Sequence, residues 1–106
     1  MISEKRIEAA LTLLRESDIP MANARALMTG LDDQKKTVLA VEFLKAEGGQ
    51  GERQEKARAS EAYKSHLEKY KAAVYDFEEL RNRRQTEILI VETWRSINAN
   101  QRRGNI

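Results

Sequence analysis

The sequence predicts an all-α protein, and three observations carry that expectation. Ala, Leu, Glu, Lys, Arg and Gln dominate, with one proline and five glycines in 106 residues; these are the residue types that lose least on entering a helix. No run alternates apolar and polar residues over a useful length, and no Asn-Gly or Asp-Gly joins two such runs. Apolar residues recur instead at intervals of three and four.

The length allows one domain and is short for two with separate cores. Charged residues make up 34%, so apolar side chains must lie on stripes rather than in a thick core. The absence of cysteine excludes a disulfide framework, a thiolate nucleophile and a cysteine zinc site. No apolar run approaches a membrane span, and Met1-Ile2-Ser3-Glu4-Lys5-Arg6 has no signal-peptide core; a cytoplasmic protein without a membrane role is expected. The net charge of +2 hides an asymmetry: residues 81–106 carry six arginines against Glu87 and Glu92.

Residues 1–47 read as short N-terminal helices. Ser3 suits an N-cap, Glu4 the first turn, and Ile7, Leu11 and Leu14 the buried stripe of a helix over 4–16. Ser17-Asp18-Ile19-Pro20 interrupts it, because the residue before a proline is pushed out of the α region, and Asp18 and Pro20 suit a new start. Residues 21–29 are helical; Gly30 either ends that helix or is tolerated inside a longer one. Asp32 reads as the cap of a restart over 33–46, where Val38, Leu39, Val41, Phe43 and Leu44 cover more than one face and predict the most buried helix. Residues 48–51 form a glycine-rich turn, and residues 52–100, with no proline or glycine, form one long amphipathic helix ahead of a basic tail at 101–106.

The long helix has a heptad stripe: Tyr63, Leu67, Tyr70, Val74 and Phe77, then Arg81 and Arg84, then Ile88 and Val91. Leu80, Ile90, Trp94 and Ile97 widen it. At 1.5 Å per residue this helix would be about 73 Å long against about 21 to 39 Å for its predecessor. An antiparallel helical hairpin across the glycine turn would then leave the end around Ile88, Ile90, Val91, Trp94 and Ile97 bare. A homo-oligomer is expected on that ground, with Tyr63, Leu67, Tyr70, Val74, Phe77, Ile88 and Val91 as the candidate seam.

No constellation suggests catalysis, a cofactor or a metal. His66 is the single histidine and reads as a polar-face residue. Gly48, Gly49 and Gly51 lack the Lys-Ser/Thr of a phosphate loop. Asp32-Asp33 would bind a cation only with further carboxylates converging on it, and Glu78, Glu79 and Glu87 read as solvated charge. A non-enzymatic protein is expected.

The most suggestive feature is the arginine segment. Arg81, Arg83, Arg84, Trp94, Arg95, Arg102 and Arg103 are candidate contacts to nucleic acid or to a partner protein. Arginine forks match phosphate geometry, and Trp94 offers a stacking face. The alternative is equally physical. Arg81 and Arg84 lie on the seam and would pair with acids of a packed helix, Trp94 would anchor a helix contact, and Arg102 and Arg103 would complement the helix dipole.

Three stretches, Val38-Leu39-Ala40-Val41-Glu42-Phe43-Leu44-Lys45-Ala46-Glu47-Gly48, Ala57-Arg58-Ala59-Ser60-Glu61-Ala62-Tyr63-Lys64 and Trp94-Arg95-Ser96 with Asn98-Ala99-Asn100-Gln101-Arg102-Arg103, resemble small helical coiled-coil proteins of bacteriophages and prophages. The resemblance covers roughly two thirds of the chain. It implies a gene setting among replication and recombination functions, hence the host cytoplasm and a protein partner in DNA metabolism, and it carries no site residues. The function expected is a self-associating accessory factor; the alternative is a coiled-coil adaptor with no nucleic-acid role.

Overall fold

A computed structural model describes residues 1–104. Four helices follow one another: α1 (Glu4–Glu16), α2 (Asp18–Lys45), α3 (Gln50–Arg58) and α4 (Glu61–Gly104). No strand occurs among the described residues. The chain is all-α, with a long C-terminal helix of 44 residues.

Ser3 caps α1 as its position suggested, its hydroxyl accepting from the Arg6 N–H at 3.1 Å. The interruption before Pro20 shrinks to one residue, Ser17, and α2 begins at Asp18. Pro20 falls in the first turn of α2, where its missing N–H has no partner to lose. From there α2 runs unbroken for 28 residues, so the expected restart at Asp32 does not occur. A helix-interior glycine costs only about 1 kcal/mol, too little to split a long helix at Gly30. Asp32 pairs instead with Lys35 at 3.0 Å.

Two further expectations are corrected. The 33–46 segment is not the most buried: α2 has no buried residue, and its second apolar face is open, with Leu27, Val41 and Leu44 exposed. Nor is 52–100 one helix. The glycine turn is confined to 46–49, Gln50 already begins α3, and the chain breaks again at Ala59-Ser60. Ser60 is a cap without glycine or proline to announce it. Its hydroxyl accepts from the Tyr63 N–H at 3.2 Å while donating to the Ala57 carbonyl at 2.6 Å, so it ends α3 and starts α4. At the other end, 101–104 of the expected basic tail continue α4; Asn105 and Ile106 lie outside the described residues.

The contacts fall into two compact units. In the first, Met1–Ala22 with Glu78–Ile106, α1 lies antiparallel to α4. Early in α1, Ile7 and Leu11 line a groove with Trp94, whereas late in α1 Leu14 and Ser17 meet Arg84. Ile7, Ala10 and Val91 are buried. The end of α4 expected to be bare is thus covered on one side: Val91 is buried and Ile90, Trp94 and Ile97 are half-buried, while Ile88 stays exposed.

In the second unit, Asn23–Phe77, α2 is likewise antiparallel to α4. Arg25 lies over the Phe77 ring at 5.5 Å, the Leu31 carbonyl meets His66, and Lys35 lies over Tyr70 at 3.8 Å. The short α3 folds back on the end of α2 and buries Ala57. Arg53 stacks on Phe43 at 4.2 Å and donates to its carbonyl at 3.2 Å, and Lys56 donates to the Glu47 carbonyl at 2.8 Å. Basic side chains thus donate to carbonyls at and just past the C-terminus of α2, the end at which cations are favoured.

The turn between α2 and α3 depends on Gly48, whose φ is +117°. A Cβ there would also crowd the Glu52 carboxyl group. Gly48→Ala is expected to destabilise the protein by about 1 kcal/mol or more, measured as a lowered denaturation midpoint. Gly49→Ala, at φ −72° with open space for a Cβ, is expected to leave it nearly unchanged.

Candidate functional site

A heptad seam on α4 organises both units, and its register differs from the expected one. Its first column is Tyr63, Tyr70, Phe77, Arg84 and Val91; its second is His66, Ala73, Leu80, Glu87 and Trp94. All ten are buried or half-buried. The expected second column lay one residue later. Of that set, Ile88 and Arg81 are exposed, while Leu67 and Val74 are half-buried beside the seam. Sequence reasoning missed His66 and Glu87 because both are polar. The signal available was the seven-residue repeat that joins them to Ala73, Leu80 and Trp94.

The candidate oligomer seam is therefore occupied largely within the chain. Phe77 is buried near Arg25, Tyr70 is covered by Lys35, and Val91 is buried in the unit containing α1. Only Ile88 of that set is exposed. Trp94 sits beside Glu4, Ile7, Glu8 and Leu11, as a contact to α1.

Three polar side chains sit in this seam, each matched to a particular group. His66 is buried, and its Nε2 meets the Leu31 carbonyl at 2.6 Å; because a carbonyl only accepts, that nitrogen carries the proton. It is thus not the polar-face residue expected. Arg84 donates to the Leu14 carbonyl at 2.8 Å, to the Ser17 hydroxyl and to Asp18 at 2.8 Å. The guanidinium lies at the negative end of α1, where a cation is favoured, and it pairs with the first residue of α2. Glu87, expected to be solvated, is buried: one oxygen accepts from Arg6 at 2.8 Å, and the other has no hydrogen-bond partner among the described residues. The hydrogen bond from Arg6 raises that guanidinium's pKa above its ordinary value, with the Glu87 charge adding to the effect.

The arginine segment does not act as one patch. Arg81 pairs with Glu78 at 3.2 Å and Arg83 with Glu79 at 2.6 Å, both along α4 itself. Arg84 is committed to the seam. Arg95, Arg102 and Arg103 are exposed and make no ion pair among the described residues. No group of three or more His, Asp or Glu side chains among the described residues is placed to hold a metal ion. The grooves present are open and mixed in lining: one runs along α1 beside Leu13, Pro20 and Leu80, another between α2 and α3 beside Leu39, Phe43 and Ala57. Neither gathers a nucleophile with a base.

What remains on the outside is apolar surface on helices: Leu27, Val41 and Leu44 of α2, and Tyr75, Ile88 and Leu89 of α4. No described helix is long and apolar enough to cross a membrane. No protein-family model matches this chain, and no curated protein or solved structure matches it either.

The polar members of the seam respond differently to removal. Arg84→Ala removes the bonds to the Leu14 carbonyl, the Ser17 hydroxyl and Asp18, leaving only the 3.3 Å bond from the Ser17 hydroxyl to the Leu14 carbonyl, and is expected to cost roughly 1.5–3 kcal/mol, read as a lower thermal midpoint with loss of helical circular dichroism. Glu87→Leu removes a buried carboxylate that is only half satisfied, and Arg6 retains access to water. Its thermal midpoint is expected to hold or rise; a fall of several degrees would show that the ion pair is needed.

Proposed function

We propose that this chain is a non-enzymatic helical accessory protein that self-associates and acts by holding a protein partner. The phage resemblance supplies the setting, DNA recombination or replication in the host cytoplasm. The observation that carries the reading is the imbalance between interior and surface. Among the described residues only Ile7, Ala10, Ala57, Ala73, Phe77 and Val91 are buried hydrophobics, three of them alanine, while Leu27, Leu44, Tyr75 and Leu89 stay more than half exposed. Single exposed apolar residues are ordinary, but their spacing along helix faces is the pattern by which helices recognise other helices.

A protein partner is favoured over nucleic acid because Arg81, Arg83 and Arg84 are already paired. A second reading rests on Arg95, Arg102 and Arg103. These exposed cations at the negative end of α4 offer phosphate contacts to DNA or RNA. A coiled-coil adaptor with no nucleic-acid role shares the first reading's surface and differs only in its partner.

Fluorescence anisotropy with single- and double-stranded DNA across a salt series separates these readings, with solution mass measured by light scattering on the same sample. The expected result is a mass above that of the 12.2 kDa chain with weak DNA binding. Affinity that falls steeply with salt, and is lost in Arg95→Gln/Arg102→Gln/Arg103→Gln, would transfer the assignment to nucleic acid. A monomer at all concentrations would refute self-association.

A further inference from the structure

The N-terminal half of α1 is held on α4 by few contacts. Only Ile7 and Ala10 of α1 are buried, and Leu11, on the expected stripe, stays 49% exposed. The Arg84 bonds all fall at or beyond Leu14, so they pin the C-terminal end alone. From Met1 to Leu13, the one hydrogen bond to α4 among the described residues joins Arg6 to Glu87 at 2.8 Å. A helix of 13 residues is marginal in water by itself, so α1 depends on these contacts to form. Beneath it lie Val91, which is buried, and Trp94, which meets Ile7 and Leu11.

Glu87 is the anomaly at this contact. Its side chain is only 10% exposed, one oxygen accepts from Arg6, and the other is buried with no partner among the described residues. Burying a carboxylate with one oxygen empty costs free energy that Ile7 and Ala10 must offset. With α1 lifted, both oxygens are hydrated. A leucine here, one heptad from both Leu80 and Trp94, would hold α1 more tightly. The side chain at the centre of the contact thus works against its closure.

We infer that the N-terminal half of α1 is a strap, hinged where Arg84 holds its C-terminal end, that lifts off α4 while α4 keeps its helix. Glu87 sets how readily it lifts. Opening uncovers Val91 and Trp94; its use as a control on contact with another protein rests on the partner-holding reading above.

The test is native-state hydrogen exchange on the full-length chain, with circular dichroism as the check on folding. Amides from Ile7 to Leu13 are expected to exchange together, through one opening, at least about tenfold faster than those of α4 from Glu87 to Val91. Acrylamide quenching of Trp94, the single tryptophan, reads the same opening from the α4 side. Glu87→Leu is expected to slow exchange in α1 at least about tenfold and to reduce the quenching. Arg6→Ala leaves the carboxylate buried alone and is expected to speed exchange by a similar factor. Protection that rises residue by residue from Ile7 is end fraying and overturns the strap. Amides of α1 that exchange only with global unfolding, or rates that neither variant moves, overturn it too. Light scattering tests self-association separately, so a monomeric chain removes that reading and leaves the strap standing.

Discussion

The Arg84 guanidinium meets three different groups at the junction of α1 and α2. The last carbonyls of α1 lie where intrahelical donors run out, and the chain must pass from one helix to the next over the single residue Ser17. Arg84 reaches across from α4 to the Leu14 carbonyl, the Ser17 hydroxyl and Asp18. This bond set fixes the register of α1 on α4, and with it the burial of Ile7, Ala10 and Val91. Lysine would supply charge here without the planar fork that reaches several acceptors together.

Apolar residues are too few to define register alone, so polar residues embedded in the seam help to do so. His66, Arg84 and Glu87 each recognise one group: the Leu31 carbonyl, the end of α1, and Arg6. Sliding a helix by one residue would leave each of them without its partner, and an unpaired buried polar group is costlier than a paired one is beneficial. Glu87, with one oxygen unpaired, contributes less to stability than to selection of register.

The same scarcity explains the surface. α2 has apolar residues on two sides, and α4 with α3 covers only one of them, leaving Leu27, Val41 and Leu44 exposed. A helix with two apolar stripes packs between two neighbours. The binding reading follows from this unsatisfied second stripe, since the polar groups of the interior are committed to holding the fold.

Much of this was legible in the residues alone. Helix content, the Ser3 cap, Asp18 as a helix start, the turn at Gly48 and the column Tyr63, Tyr70, Phe77, Arg84 and Val91 follow from local propensity and from a seven-residue repeat in the sequence, which the turn of any α-helix gathers onto one face. Tertiary structure decided what depends on a neighbour. His66 and Glu87 lie in the seam because a carbonyl and a guanidinium await them there. Ser60 divides two helices because its hydroxyl bonds to both. The last part of α4 is covered because Arg84 secures α1 to it. Apolar spacing showed that α2 has more than one apolar face; only packing could decide that one turns inward and the other stays exposed.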